Sequence, residues 1–274
     1  MKIYTPAKLN LFLKVLGKRK DGFHEIRSGI TFINLYDILE IHHSDDMSIR
    51  YEGSFAPKNN EYEDCIIKKT LNFLKVSNKF KIKITKNIPV QSGLGSASSN
   101  AAGLIKGLES LVSLKRKETN HYVDLGSDVP SFLYSKNCLV TGKGEKIFNQ
   151  KFPKYYFLLV KPNFGNSTKN MYQNLNYNDE LLSDKEILEE NIIYENDTGN
   201  DFEKIAFEKN NKLKEIFKFL ETIENSIFSR MSGSGSCCFS VFEKKEHAKI
   251  ANEAFKSRFR DLWTCVCENN TMND

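Results

Sequence analysis

Between Pro89 and Ser99 the chain reads Pro89-Val90-Gln91-Ser92-Gly93-Leu94-Gly95-Ser96-Ala97-Ser98-Ser99, two glycines among small hydroxyl residues. An alternating segment precedes it, with Ile82 and Ile84 set between Lys81, Lys83 and Thr85. After it, Ala101, Leu104, Ile105, Leu108, Leu111 and Val112 recur at helical spacing. A strand that turns through glycines into a helix start suits an anion. Glycine lets the backbone approach a ligand, and the first N–H groups of a helix point outward at the positive end of its dipole. Ser96, Ser98 and Ser99 add hydroxyl donors. The loop lacks the lysine of a Walker loop, and Ser98 stands where a dinucleotide fingerprint has its third glycine. Taken alone, these residues fit a phosphate cradle and a plain helix cap equally.

Other groups could do chemistry. His42 and His43 precede Asp45 and Asp46, but neighbours on a strand point to opposite faces and converge poorly on one metal ion. The six cysteines contain no C-x-x-C pair, and Cys237-Cys238 and Cys265-x-Cys267 lie in apolar runs, which suits reduced core thiols and a cytoplasmic setting.

The elements that must position these groups are interleaved. Leu9, Leu11, Leu13 and Val15 predict one face of an N-terminal strand, and "DILEIHHSDDMSIRYEG" predicts a hairpin turning at Ser44-Asp45-Asp46. Ile67, Leu71 and Leu74 predict a helix from Asp64, Gly142-Lys143-Gly144 a turn between strands, and "KYYFLLVKPN" a buried strand ending at Pro162. The polar stretch 163–199 predicts one helix over 183–191. One helix is expected from Asn200, with Asn200 and Glu203 as a capping box and Phe202, Ile205, Ala206, Leu213, Ile216 and Phe217 as its stripe. A strand, a helix over 247–259 and a last strand follow. This order predicts an α+β fold.

At 274 residues, 40% hydrophobic and 27% charged, the chain has the composition of an ordinary globular protein. Its +5 charge is dispersed, which argues against nucleic acid and suits a small phosphorylated ligand. No run of about 18 apolar residues predicts a membrane span, and the N-terminus lacks the apolar core and cleavage site of a secretory leader.

Three segments in order resemble the GHMP kinase superfamily: "PAKLNLFLKVLGKRKDGFHEI", the Pro89–Ser98 loop in the pattern P-x-x-x-G-L-G-S-S-A, and "MSGSGSCCF" over Met231–Phe239. Gly17–His24, Leu125–Phe132 and Asn200–Glu203 resemble one branch, which phosphorylates the 2-hydroxyl of a diphosphocytidyl methylerythritol in non-mevalonate isoprenoid synthesis. The resemblance implies a two-lobed fold, with an ATP-binding lobe over 1–152, a substrate lobe over 153–274 and a cleft between. It implies ATP as co-substrate, with magnesium, and a loop from Pro89 to Ser99 that binds its phosphates. Asp128 is implied as general base, with Lys8 beside it. Lys86 and Cys65 are implied near the adenine, Cys65 replacing the family's amide, and Ala97 replaces a glycine or serine of the loop. Phe23 and Tyr172 are implied to sandwich cytosine, His24 to bond its Watson–Crick edge, and Asn10 and Thr168 to add polar contacts. No ligands for the metal ion and no oligomeric state are implied. The rival readings are another kinase of the superfamily, of homoserine or mevalonate type, and a nucleotide-binding regulator that has lost turnover.

Overall fold

The computed structural model describes residues 1–57, 65–112, 114–115, 117–175 and 199–269. Its first two strands are long because nearly every residue from Ala7 to Leu13 finds a buried place. Strand β1 (Lys2–Lys18) pairs antiparallel with β2 (His24–His43), and the register shifts between Pro6 and Ala7, Asn10 and Phe12, and Val15 and Gly17. The middle shift divides the predicted apolar face. Leu9 and Leu11 pack in one core cluster, Leu13 and Val15 in another. Such irregularities re-aim side chains.

The predicted hairpin at Ser44-Asp45-Asp46 does not form. Strand β4 (Phe80–Thr85) lies between β2 and β3 (Ser48–Glu52), antiparallel to the first and parallel to the second. Burial explains the exchange. Phe80, Ile82 and Ile84 are buried, which suits an inner strand, whereas no residue of β3 is buried, which suits an edge. Strands β5 (Cys138–Gly142) and β6 (Lys146–Asn149) form the expected hairpin around Gly142–Gly144. The sheet order is β3-β4-β2-β5-β6, with β1 on β2. Helices α1 (Ile66–Phe73), α2 (Ser96–Leu111) and α3 (Val129–Tyr134) cover it, through contacts such as Leu104 and Leu108 with Leu39 and Ile41.

A second sheet has the order β10 (Trp263–Glu268), β7 (Tyr156–Lys161), β9 (Cys238–Phe242) and β8 (Ser229–Met231). Helices α4 (Thr168–Gln173), α5 (Phe202–Lys209), α6 (Asn211–Glu221) and α7 (Lys245–Arg258) accompany it. Helices and strands are thus mixed, as the α+β reading expects. The expected single helix after Asn200 is two. Asn210, extended at φ −143° and ψ 99°, breaks it, and its side chain accepts from Leu213 N–H at 3.1 Å to start α6. The apolar stripe survives because both helices bury it in one cluster.

The six cysteines are free, and burial pushes the Cys138 and Cys237 thiols up to about 12. His42 and His43 are exposed, and no group of three metal-ligating side chains occurs among the described residues. Among the same residues no helix is long and apolar enough to cross a membrane. The helix expected over 183–191 lies outside the described residues.

Candidate active site

Helix α2 starts where Gly95, at φ +74°, ends the glycine loop, and its first internal bond runs from Ser99 N–H to the Gly95 carbonyl at 2.9 Å. The N–H groups of Ser96, Ala97 and Ser98 therefore have no acceptor within the helix. These residues line a cleft of ≈ 870 Å³ whose walls include Pro89–Gly93, Gly95–Ser98, Lys8, Lys86, Asp128 and Gly233–Gly235. Gly93, at φ +78°, is packed so closely that a methyl group would run into the carbonyl oxygen of Ser232. A methyl on Gly95 would meet Phe132 at 2.7 Å and Lys8 at 3.1 Å. The glycines are required by close approach as well as by φ.

Not every loop residue expected at the nucleotide lines the cleft. Leu94 packs into the core, and Ser99 is buried with its hydroxyl donating to the Pro6 carbonyl at 2.6 Å. The Ser96 hydroxyl donates to Asp37 Oδ2 at 2.7 Å. Of the three serines expected as hydroxyl donors, Ser98 keeps its place on the cleft wall without such a bond.

The second glycine segment closes on the first. Ser232 Oγ donates to the Gly93 carbonyl at 3.0 Å, and Cys237 N–H to the Ser92 carbonyl at 3.0 Å. Asn200 Nδ2 holds the carbonyls of Met231 and Gly233 at 2.7 and 2.8 Å, and Glu203 Oε1 accepts from Met231 N–H at 2.7 Å. The expected capping box is thereby redirected: Asn200 Oδ1 takes Phe202 N–H at 2.9 Å, and Asp201 stands at the start of α5 without a cap bond, its carboxylate accepting from Lys14 Nζ and Val15 N–H at 3.1 and 2.8 Å. Burial pushes the Glu203 carboxyl up to about 7, against the hydrogen bond from Met231 and the charge of Arg230.

Lys8 and Asp128 meet in the cleft, Nζ to Oδ2 at 3.6 Å, with side-chain exposures of 4% and 34%. Lys8 also donates to Asn10 Oδ1, and Asn10 Nδ2 donates to Ser28 Oγ at 2.7 Å, so the ammonium is fixed by a buried chain of polar groups. Asp128 precedes α3 and makes no cap bond with its carboxylate, which leaves it facing the cleft. Asn10, Thr168, Tyr172, Cys65 and Lys86 also line the space. Thr168 Oγ1 lies 2.8 Å from Ser234 Oγ. Burial, and next the charge of Asp128, push the Tyr172 phenol well above its usual value. Burial and Lys18 hold the His24 imidazole below its usual value.

His24 is stacked on Tyr172, at 4.6 Å between centroids and 19° between planes. Rings in direct contact leave no room for a base between them. Phe23 is 53% exposed and makes no ring contact with Tyr172; Lys143 Nζ sits 4.5 Å above one of its faces. Neither Phe23 nor His24 lines the cleft.

Several wall residues were not singled out from sequence. Tyr51 and Phe55 flank Cys65 and Ile66 at one end, and Phe55 meets Trp263 edge to face at 6.0 Å. Asp37 is fully buried beneath the loop. An acid inside the apolar run "INLYDILEI" was its available signal.

GHMP kinase N-terminal domain and GHMP kinase C-terminal models match residues 64–136 and 181–261. The chain is 32% identical over 285 residues to a 4-diphosphocytidyl-2-C-methyl-D-erythritol kinase of Wolbachia sp. subsp. Drosophila simulans, covering 96% of both chains. It is 35% identical over 277 residues to the enzyme of that name from Pelagibacter ubique, covering 97% of both. The chain belongs to the 4-diphosphocytidyl-2-C-methyl-D-erythritol kinases of the GHMP kinase family. A crystal structure of 4-(cytidine 5'-diphospho)-2C-methyl-D-erythritol kinase superposes on this kinase with a TM-score of 0.77 at 26% identity, over 98% of this chain and 100% of that one. Mevalonate kinase of Methanococcus jannaschii shares the fold at a TM-score of 0.59 and 18% identity, covering 99% and 98%. ATP as co-substrate follows from membership of the family.

Proposed function

We propose that this kinase transfers the γ-phosphoryl group of ATP to the 2-hydroxyl of 4-diphosphocytidyl-2-C-methyl-D-erythritol. The single observation that carries the chemistry is the Lys8–Asp128 pair at 3.6 Å, on the wall of the same cleft as the glycine loop. Phosphoryl transfer asks mainly for positioning and for charge stabilisation. The hydroxyl oxygen attacks the γ-phosphorus as its proton passes to an Asp128 oxygen, and ADP leaves. Lys8, fixed by Asn10, lowers the cost of the negative charge gathering on the transferred group. The free helix N–H groups and Gly93–Gly95 hold the phosphates. Tyr51, Phe55, Cys65 and Lys86 border the adenine.

Magnesium fits the anionic triphosphate by charge, and would be held chiefly by phosphate oxygens and water, since the described residues offer no cluster of ligands. When bound, it neutralises charge on the triphosphate.

For the acceptor, Phe23 offers the face opposite Lys143 to cytosine, His24 bonds the base edge, and Asn10 and Thr168 add polar contacts. Seating the base between Phe23 and Tyr172 requires the His24 ring to leave Tyr172. We also assign the ATP-binding lobe to 1–152 and the substrate lobe to 153–274, a division supported by the two separate sheets, and a reducing cytoplasm suits the six free thiols.

The test is coupled ADP release with ATP and magnesium, against the cytidyl substrate, mevalonate and homoserine. Turnover with the cytidyl compound alone is expected. Turnover with another alcohol would overturn the acceptor assignment, and ATP binding without any turnover would favour a regulator.

A further inference from the structure

Asp37 raises a question of charge. Its carboxylate is wholly buried directly beneath a loop that, on the ATP reading above, must attract phosphates. A negative charge there should repel them unless it is consumed locally. The two oxygens divide the task. Oδ1 accepts the backbone N–H groups of Asn87 and Ile88 at 2.7 and 2.8 Å, on the strand side of the loop. Oδ2 accepts the Ser96 hydroxyl at 2.7 Å, the Asn100 amide at 3.2 Å and the Lys86 ammonium, the first two on helix α2. One carboxylate therefore holds both flanks of Pro89–Gly95. Lys86 cancels its charge and also donates to Ser96, so two of its three N–H groups are engaged while the residue lines the cleft.

We propose that Asp37 is a positioning residue for nucleotide binding. Its carboxylate fixes the distance between the strand exit and the helix start, and so the curvature of the phosphate loop. It also turns the Lys86 ammonium so that the remaining N–H faces the nucleotide. The carboxylate itself never touches ATP.

The decisive variant is Asp37→Asn. Its amide oxygen can still serve Asn87 and Ile88, but its NH₂ would face the donors of Lys86, Ser96 and Asn100, so the helix-side anchor is lost selectively. Affinity is read by calorimetry with adenylyl imidodiphosphate and, separately, with cytidine diphosphate. The nucleotide analogue should bind about ten- to a hundredfold more weakly, the range for losing charge-assisted hydrogen bonds, with cytidine diphosphate affinity unchanged. Wild-type affinity for the analogue in a folded variant, or equal loss for both ligands, would overturn the proposal. If Asp37→Asn does not fold, Ser96→Ala decides. It should weaken the analogue alone by about three- to tenfold, and wild-type affinity there would equally overturn it. A wild-type protein that binds no analogue at all would refute the ATP reading instead.

Discussion

At the proposed nucleotide end of the cleft the chain offers backbone N–H groups, presented by Gly93, Gly95 and the first turn of α2 and held from behind by buried side chains. At the proposed acceptor end it offers side chains: Tyr172 on the six-residue α4, Phe23 on an exposed turn outside the cleft wall, and Lys8 with Asp128 between the two ends. The first design leaves almost no room for a change of backbone shape. The second depends on each ring and charge but leaves its backbone room. Gly22 shows the contrast, since a methyl group there would meet nothing within 4 Å, although its φ is +84°.

The largest effect should come from Asp128→Asn. Loss of the general base should lower kcat by roughly 10²–10⁴-fold and leave affinity for adenylyl imidodiphosphate intact. Comparable turnover would remove chemistry from the junction of the two ends. Next, Gly93→Ala and Gly22→Ala compare the backbones directly. In urea denaturation the first should cost about 3 kcal/mol, because a methyl would drive into the Ser232 carbonyl as well as occupy a left-handed φ. The second should cost only about 1–2 kcal/mol, the backbone penalty alone. Equal costs would dissolve the distinction.

These pairs also indicate what could be read without coordinates. The strand-loop-helix around Gly93 was legible because alternation, glycine and helical spacing are local signals, and so was the α+β order. The hairpin after β2 was not. Its turn residues are present, but the choice of neighbour was made by the greater burial of β4, a distant segment. Asn210 hid its helix break because the apolar stripe passes across it unchanged. At the site, Lys8 and Asp128 are 120 positions apart, and only resemblance joined them. Asp37 went unremarked because the partners of its carboxylate come from two stretches far along the chain, 86–88 and the start of α2. The stacking of His24 on Tyr172 depends on ring orientation, which no spacing encodes.

Phe23→Ala should raise KM for the cytidyl substrate by the equivalent of about 1–3 kcal/mol of stacking, with KM for ATP unchanged; a parallel rise in both would defeat the separation of ends. Glu203→Gln should act through pH. The folded protein holds the Glu203 proton up to about 7, whereas an ordinary carboxyl releases it near 4.5. Between those values the folded state binds the extra proton, so stability falls as pH rises and then levels off above 7. Glutamine carries no such charge and can still accept from Met231 N–H. Thermal melting should therefore show little difference near pH 4.5 and a variant more stable by a few degrees at pH 8.

The N-terminal strands also carry a message about the order of synthesis. Leu13 pairs with Asn200 and Ile33 with Asn269, while the Gly93 loop is seated against Ser232. Parts of β1 and β2 thus wait for partners that lie far along the chain. A chain halted before Ser232 would carry Lys8, Asp128 and the whole phosphate loop, yet lack the wall that holds the loop in place. Nucleotide affinity should accordingly appear only once the segment around Ser232 has been made, and not grow in step with chain length.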